Sequence, residues 1–355
     1  MHIDNLLSLA VQNGASDLHM KVGSYPMIRV DGTLVVASEE RRLEQDDLRG
    51  MARTLMSPEL QQEFETSQEV DCAYSVPGLG RFRCNVFRQR GTVGMVIRVI
   101  PTAIPTIDDL ELPPVLRSIA EEERGLVLVT GTTGSGKSTT LAAMIDHINQ
   151  TRSSHIITVE DPIEYLHRDH RSLVNQRELH VDTSSFAHAL RSALRQDPDV
   201  ILVGEIRDLE TAQIAVQASL TGHLVLATLH TNDAPSAITR LIDIGIEPYL
   251  ITSSLVGVLA QRLVRRICPA CKGTGQSASG GRCEPCFAAG YKGRLAVYEL
   301  MTMTDTLRRL TAQNADAVTL FESARDSGFR SMREDAADKV AAGHTDEAEV
   351  YRVLH

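Results

Sequence analysis

A glycine-rich stretch between an apolar run and a predicted helix has the residue types needed to bind phosphate groups. Its sequence, Gly131-Thr132-Thr133-Gly134-Ser135-Gly136-Lys137-Ser138, matches the P-loop pattern G-x-x-x-x-G-K-[ST]. Glycines let successive backbone N–H groups turn inward around phosphates, and the following helix adds the positive end of its dipole. A chance glycine-rich turn would lack this strand–loop–helix context. We predict nucleotide contacts from Gly131, Thr132, Thr133, Gly134, Ser135, Gly136, Lys137, Ser138 and Thr139, with Lys137 on the β- and γ-phosphates and Ser138 on Mg²⁺.

Two acidic segments follow the P-loop, and each ends an apolar run. Glu205 comes after Val200-Ile201-Leu202-Val203-Gly204, at the strand end where ligand sites of parallel sheets lie. It is a candidate for supporting Mg²⁺, and the alternative is an ordinary surface carboxylate. The other segment is Glu160-Asp161-Pro162-Ile163-Glu164. Its carboxylates suggest a base that activates water, although helix capping by Asp161 fits the same spacing.

Two histidines flank one apolar strand, in Thr221-Gly222-His223 and Leu229-His230-Thr231. Histidines in these places could sense a γ-phosphate or help to bind the metal shell, and a purely structural role is equally compatible with the pattern. Guanine specificity would require an Asn-Lys-x-Asp motif, which the sequence lacks. ATP is therefore the predicted substrate.

Four cysteines form two C-x2-C pairs, Cys268-Pro269-Ala270-Cys271 and Cys283-Glu284-Pro285-Cys286, with eleven residues between the pairs. Four thiolates at this spacing can form a closed tetrahedral zinc site, which is structural because no position stays open to water. Unligated thiols are the alternative. We predict that Cys268, Cys271, Cys283 and Cys286 bind one zinc ion.

The elements around these motifs alternate between short apolar runs and helix-like stretches. The runs lie at Leu126–Thr130, Ile156–Glu160, Val200–Val203 and Leu224–Leu229, and the helical stretches at Thr139–Asn149, Phe186–Arg195 and Leu209–Leu220. This alternation predicts an α/β domain over residues 115–355, with a mostly parallel sheet covered on both faces. Residues 268–286 form a separate zinc insert, and short amphipathic helices are expected from 304 to 355.

A small α+β domain is predicted for residues 1–100. Apolar residues at helical spacing begin at Ile3, and strands are expected at Asp17–Met20, Met27–Val30, Leu34–Val36, Arg81–Phe87 and Val93–Ile100. Asp31-Gly32 predicts a hairpin turn between two of these strands. Four prolines between Pro101 and Pro114 indicate an interdomain linker over residues 101–114.

The charge balance and hydropathy exclude several classes of protein. Lys and Arg number 36 against 46 Asp and Glu, which gives a net charge of −10 and argues against a nucleic-acid coat. No apolar run reaches the roughly 18 residues needed to span a bilayer. Met1-His2-Ile3-Asp4-Asn5 lacks the basic start of a secretory signal. We expect a cytoplasmic protein without disulfides.

Taken together, the motifs resemble the secretion and type IV pilus ATPase superfamily, and the resemblance covers nearly the whole chain. In that family the P-loop is followed by an Asp box, a Gly-Glu Walker B segment and a His box. Here these resemble Ile157–Glu164, Val203–Asp208 and Thr221–Thr231. The resemblance implies a PAS-like N-terminal domain, a RecA-like ATPase domain and a hexameric ring.

The resemblance also implies roles for individual residues. Glu164 would be the water-activating base, Glu205 would support Mg²⁺, and His223 and His230 would belong to the nucleotide pocket. Two family arginines from the N-terminal domain contact phosphate, and their best matches are Arg83 and Arg98. We favour a contribution of these arginines to the ATP site of their own chain.

Features of two family branches occur together in this sequence. Gly14–His19, Met27–Gly32 and the compact length resemble the retraction motors (PilT-type). Asp208–Leu220, Leu259–Arg265 and the four cysteines resemble the secretion and assembly motors (GspE- and PilB-type). More residues favour export or assembly. The implied partners are further copies of the chain and an inner-membrane platform protein, with peripheral association at the cytoplasmic face of the inner membrane.

Two other functions fit parts of the sequence. RecA-like rings also drive nucleic-acid motors, and a zinc knuckle can touch bases. The acidic balance and the absence of Trp, with only seven Tyr and seven Phe for base stacking, argue against that function. Cys268–Gly275 also matches the C-x-x-C-x-G-x-G unit of heat-shock co-chaperones, in which this unit is normally repeated. Only one such unit occurs here.

Overall fold

The computed structural model describes residues 2–30, 33–101, 103–277, 279–286 and 288–354. The chain divides into two compact units, Met1–Ala103 and Ile104–His355. This division falls inside the segment 101–114 that the prolines predict as a linker. Ile107 and Leu112 are buried in the apolar core of the second unit, because the chain turns back onto that core directly after the division. Most of the expected linker is therefore part of the second unit.

The first unit is built on a six-stranded antiparallel sheet with the strand order β3-β2-β1-β6-β5-β4. Its strands are β1 (Asp17–Lys21), β2 (Met27–Val30), β3 (Thr33–Val36), β4 (Glu69–Val76), β5 (Gly80–Gln89) and β6 (Thr92–Val99). Its helices are α1 (Ile3–Gln12), α2 (Gln45–Leu55) and α3 (Pro58–Ser67). Of these, α2, α3 and β4 were not predicted. The turn expected at Asp31-Gly32 lies outside the described residues.

The first helix shows how sequence spacing produces the core of this unit. Ile3, Leu6, Leu7 and Ala10 recur every three or four residues and are all buried, so one face of α1 covers the sheet. His2 accepts a hydrogen bond from the Asp4 N–H at the helix start. The predicted helix at this position is confirmed.

The second unit contains a seven-stranded sheet with the order β13-β12-β7-β11-β10-β8-β9. Its strands are β7 (Gly125–Thr130), β8 (His155–Glu160), β9 (Leu173–Glu178), β10 (Val200–Val203), β11 (Leu224–Leu229), β12 (Leu255–Ile267) and β13 (Tyr291–Thr302). Neighbouring strands are parallel except at the β12–β13 edge. The predicted mostly parallel sheet is confirmed, while β9, β12 and β13 were not predicted as strands.

Helices cover both faces of this sheet. They are α4 (Val115–Ala120), α5 (Lys137–Thr151), α6 (Phe186–Ala193), α7 (Leu209–Leu220), α8 (Pro235–Ile244), α9 (Pro248–Ser254), α10 (Asp305–Ala312), α11 (Ala317–Asp326), α12 (Met332–Ala341) and α13 (Glu347–Leu354), with a 3₁₀ turn at Glu284–Cys286. Leu126 and Leu128 belong to one apolar core, and Val127 and Val129 belong to another. Because side chains alternate along a strand, these are the cores of the two opposite faces.

No helix within the described residues is long and apolar enough to cross a membrane. The parallel arrangement instead fixes where the predicted motifs meet. The strands β7, β8, β10 and β11 run in the same direction, so their carboxyl ends share one edge of the sheet. The P-loop, the Asp box, Glu205 and His230 all follow these ends directly, and ligand sites of parallel sheets lie at such an edge.

Candidate nucleotide-binding site

The P-loop connects β7 to α5 and depends on glycine at two close approaches. A Cβ on Gly131 would lie 2.4 Å from Ser135 Oγ and 2.5 Å from the Gln261 carbonyl oxygen. Gly136, with φ of 89°, precedes the first residue of α5, and a Cβ there would lie 3.0 Å from Gln261 Nε2. These positions leave a backbone cradle at a helix N-terminus, which fits a bound phosphate chain.

Lys137 folds back over this loop as the first residue of α5. Its Nζ donates to the carbonyl oxygens of Gly131 at 2.9 Å and Thr132 at 3.2 Å. Burial lowers the pKa of the Lys137 ammonium, while the nearby carboxylates of Glu205 and Glu164 raise it. The ammonium therefore faces two of the predicted acidic residues across the site.

Gln261 on β12 is hydrogen-bonded to the P-loop. It was not among the predicted site residues. Its side chain is buried, with Nε2 donating to the Ser135 carbonyl at 2.7 Å and Oε1 accepting from Thr140 Oγ1 at 2.8 Å. Arg262 donates to the Gln261 carbonyl and to both oxygens of Asn232. The sequence did contain a signal for this residue, since Gln261 and Arg262 interrupt a run otherwise rich in Leu and Val. Polar residues in a buried strand must find hydrogen-bond partners.

Glu205 follows β10 and Gly204 at the carboxyl edge of the sheet. Its carboxylate pairs with Arg207 at 2.7 Å and approaches His230 Nε2 at 3.1 Å. Thr228 Oγ1 donates to the Gly204 carbonyl at 2.6 Å, which ties this turn to β11. Carboxylate and hydroxyl oxygens suit Mg²⁺, so Glu205 and Ser138 form a suitable donor set for it.

The carboxylates of the Asp box have different surroundings. Burial raises the pKa of the Glu160 carboxyl, against hydrogen bonds from Thr158, Gln176 and the Glu164 backbone. Glu164 is exposed and lies in the irregular segment after β8. The Asp161–Pro162 peptide bond between them is cis. Since Glu160 is already engaged by three donors, Glu164 is the carboxylate better placed to meet a water molecule.

A cavity of about 390 Å³ brings these groups together. Its lining includes Lys137, Ser138, Glu164, Glu205 and His230, together with P-loop residues Thr133, Gly134, Gly136 and Thr139. The lining also includes Arg207, Arg294 and His167, which were not predicted as site residues, whereas the predicted Gly131, Thr132 and Ser135 are not part of it. Burial lowers the pKa of the His167 imidazole to about 4, so this ring is neutral at physiological pH.

The structure places His223 away from this cavity, in contrast to its predicted role in the nucleotide pocket. His223 precedes β11 and its Nδ1 lies 2.9 Å from the Ala218 carbonyl, at the end of α7. Seven residue steps along the extended strand separate it from His230, a distance of about 23 Å at roughly 3.3 Å per residue. Of the two histidines that flank β11, only His230 lines the cavity.

Arg83 and Arg98 lie in the first unit and face each other across β5 and β6. Arg98 Nε donates to Asp17 Oδ1 at 3.0 Å, and Arg83 Nε lies 3.9 Å from Asp71 Oδ1. Both side chains are exposed, Arg98 at 68% and Arg83 at 47%. Each arginine therefore has an acidic partner on a neighbouring strand, which offsets the repulsion between the two opposed like charges.

The four paired cysteines converge in the insert between β12 and β13. All four are buried, and their sulfur atoms lie within 4.8 Å of one another. The Cys268–Cys283 and Cys271–Cys286 sulfur distances are 3.9 and 3.6 Å. Zinc–sulfur bonds of about 2.3 Å in a tetrahedron place sulfurs about 3.8 Å apart. The residues therefore fit a zinc site with four thiolate ligands.

Comparison with known proteins agrees with this fold and site. The family model described as Type II/IV secretion system protein matches residues 1–352. The type IV pilus retraction ATPase PilT of Pseudomonas aeruginosa is 42% identical over 334 residues, which cover 92% of this chain and 90% of that relative. The type II secretion system protein HxcR of the same organism is 54% identical over 242 residues, 67% of this chain and 50% of that relative.

Solved structures extend the likeness to the fold. The crystal structure of the pilus retraction motor PilT with bound ADP superposes with a TM-score of 0.85 at 39% identity, covering 99% of this chain and 96% of that one. The ATPase DotB of Legionella pneumophila gives a TM-score of 0.74 at 26% identity, covering 99% and 94%. Fold and site together define an α/β P-loop ATPase with a RecA-like core.

This chain belongs to the type II/IV secretion system protein family. The predicted membership in the secretion and type IV pilus ATPases is confirmed, and these relatives do not favour the alternative of a nucleic-acid motor.

Proposed function

We propose that the chain is a Mg²⁺-dependent motor that hydrolyses ATP to drive a type IV pilus or type II secretion machine. The observation that carries this proposal is the convergence of Lys137, Ser138, Glu164, Glu205 and His230 on one cavity behind a P-loop. The P-loop backbone and Lys137 bind the phosphates. Ser138 and Glu205 would hold Mg²⁺, which would supply positive charge against the phosphates when bound.

Glu164 takes the proton of the attacking water in this mechanism. Lys137 and Glu164 line the same cavity, which places both groups beside the phosphate chain that the P-loop would bind. Arg207 and His230 bracket the Glu205 carboxylate and fix its orientation. Arg83 and Arg98 supply further positive charge for the phosphoryl group, because the transition state spreads negative charge over its oxygens.

The motor acts as a hexameric ring at the cytoplasmic face of the inner membrane, docked on a platform protein. PilT is similar over 90% of its own length, which supports a retraction-type domain organisation. HxcR has the higher identity, 54%, but over only half of its length, and with the zinc insert this supports an export or assembly output. Deletion in the host separates the outputs. Lost pili indicate assembly, excess pili indicate retraction, and lost export with normal pili indicates secretion.

The proposed chemistry predicts that Lys137→Ala and Glu164→Gln each lower Mg²⁺-dependent ATP turnover by about 10²-fold or more. Glu164→Gln keeps the phosphate contacts, so it still binds ATP, whereas Lys137→Ala weakens binding. Steady-state turnover and binding of a fluorescent ATP analogue measure the two effects, with Glu122→Gln at an exposed position as the control. Normal turnover in Glu164→Gln would show that this residue is not the base.

A further inference from the structure

The segment that carries Glu164 has no regular secondary structure. Residues 161–170 form neither helix nor strand between β8 and β9. The position of the Glu164 backbone therefore depends on hydrogen bonds from side chains of neighbouring elements. A general base must lie within hydrogen-bond reach of the water whose proton it takes, so these bonds bear directly on its chemistry.

One amide side chain, that of Gln176 on β9, makes two of these bonds and a third to the Glu160 carboxylate at the end of β8. Its Nε2 donates to the Tyr165 carbonyl at 2.9 Å and to Glu160 Oε1 at 3.1 Å, and its Oε1 accepts from the His167 backbone N–H at 2.9 Å. The amide thus connects the buried carboxylate at the end of β8 to the main chain on the carboxyl side of Glu164. Both donor hydrogens and the acceptor oxygen are used, which matches the bonding capacity of a glutamine.

A second residue on the same face of β9 holds the other side of the segment. Glu178, two positions after Gln176, accepts from the Ile163 N–H at 3.3 Å. In the parallel pairing of β9 with β8, Gln176 lies opposite Thr158 and Glu178 opposite Glu160. Thr158 Oγ1 also donates to Glu160 Oε1 at 2.6 Å. Glu164 therefore lies between main-chain contacts to β9 on both sides, while Asn149 of α5 holds the segment further along, at Arg168 and His170.

The neighbouring residue, Asn175, provides an internal comparison. It occupies the same strand with its side chain on the opposite face, and its Nδ2 lies 2.8 Å from His155 Nε2. That contact points away from the Glu164 segment, and Asn175 is not among the described residues that line the cavity. Asn175 and Gln176 therefore have the same side-chain chemistry at adjacent strand positions, but only Gln176 is hydrogen-bonded to the segment that carries Glu164.

We propose that Gln176 is a positioning residue that holds Glu164 in line with the nucleotide through the Tyr165 and His167 main chain. The inference rests on the proposed role of Glu164 as the base. Displacement of a catalytic group by about 1 Å can cost roughly 10²-fold in rate. Loss of the amide removes no phosphate contact of the P-loop, and among the described residues the only nearby link is Tyr165 Oη at 3.1 Å from Thr139 Oγ1 at the start of α5. Turnover should therefore fall much more than ATP binding.

The test compares Gln176→Leu, Gln176→Glu and the control Asn175→Leu in the full-length protein. Gln176→Leu removes all three hydrogen bonds. Gln176→Glu keeps the shape and the acceptor for His167 but places a carboxylate against the Tyr165 carbonyl and Glu160. We expect both to lower kcat by about 10- to 100-fold with the KM for ATP changed less than about threefold. Asn175→Leu should stay near the wild-type kcat.

A double variant distinguishes positioning of Glu164 from a general loss of structure. Because Gln176 acts through Glu164, Gln176→Leu should have little further effect on kcat in the Glu164→Gln background, whereas independent effects would multiply. If Gln176→Leu fails to fold, the isosteric Gln176→Glu decides alone. A wild-type kcat in both Gln176 variants, or parallel changes in KM and kcat, overturns the inference. Full turnover in Glu164→Gln instead overturns the base assignment itself, and the inference with it.

Discussion

Glu349 is a buried carboxylate that joins the last helix to the sheet. It accepts hydrogen bonds from the Arg265 N–H and side chain at 3.0 and 2.6 Å and from Arg352 Nε and Nη2 at 2.8 Å. The Arg352 and Arg265 guanidinium groups hold the pKa of this carboxyl well below its usual 4.5. Hydrogen bonds to charged groups contribute about 1.5–3 kcal/mol each, but both arginine side chains are about half exposed here, so water screens part of that contribution.

We predict that Glu349→Gln lowers the stability of the second unit by about 1–3 kcal/mol at neutral pH. The folded-state pKa lies below the unfolded one, so the stabilising effect is complete above the unfolded pKa of about 4.3 and fades as the pH falls. Thermal unfolding at pH 7 and near pH 3.5 should show the larger difference between wild type and variant at pH 7. An equal difference at both pH values would contradict the assignment.

At the residue scale, the sequence predicts the members of the site that occur in contiguous motifs. Lys137 and Ser138 follow from the P-loop pattern, and Glu205 and His230 follow from strand ends. Gln176 was given no role because it lies in a polar stretch where nothing marks one residue above another. Gln261 was given none although it interrupts an apolar run, because its partners lie far away in the chain. His223 was assigned to the pocket through the family resemblance, although seven residue steps of extended strand place it about 23 Å from His230.

At the scale of elements, apolar runs predicted the buried strands well. Val200–Val203 and Leu224–Leu229 match the observed β10 and β11, because strands buried on both faces are continuously apolar. The edge strand β9, Leu173–Glu178, is mostly polar and was therefore missed. The helices α2 and α3 were missed as well, although each begins with a capping residue, Glu44 and Ser57.

The zinc insert leads to an element-scale prediction. Purified protein should contain one zinc per chain, bound by Cys268, Cys271, Cys283 and Cys286. Chelation should unfold the insert, because binding of the ion and folding are coupled at such sites. Hydrogen exchange should then rise in residues 268–290 while the P-loop region stays protected. Zinc content is measured by elemental analysis before and after chelation.

The insert lies at the end of the β12–β13 hairpin, whose strands pair from Gly257–Thr302 to Ile267–Tyr291. Because all of these pairs lie on the sheet side of the cysteines and need no metal, ATP turnover should persist shortly after zinc removal. Cys283→Ser should reproduce the loss of zinc, with Cys72→Ser in the first unit as the control that retains it. Zinc well below one equivalent in carefully prepared wild-type protein would contradict the four-cysteine site.

At the scale of the whole molecule, the first unit presents two exposed arginines at opposed positions of its sheet. Arg83 and Arg98 lie opposite each other, the buried carboxylate of Asp17 pairs with Arg98, and Asp71 lies 3.9 Å from Arg83. These acidic partners offset part of the repulsion between the like charges and leave both guanidinium groups partly open to water. The proposed function supplies an anion that such groups can meet, the phosphoryl group of ATP.

The last prediction is that the protein is active only as a ring and that Arg83 and Arg98 complete its ATP site. An arginine that stabilises the transferred phosphoryl group can contribute about 10³–10⁵ in rate. Arg83→Ala and Arg98→Ala should therefore lower turnover while ring formation, measured by light scattering, is preserved. Arg90→Ala, at an exposed turn of the same unit, is the control.

Mixing Arg98→Ala with Lys137→Ala subunits then shows whether Arg98 acts on the ATP site of its own chain or on that of a neighbouring subunit. We expect no recovery, since each arginine serves its own chain, whereas recovered activity would assign it to a neighbouring subunit. Unchanged hydrolysis in both single variants would exclude the arginine pair from the mechanism.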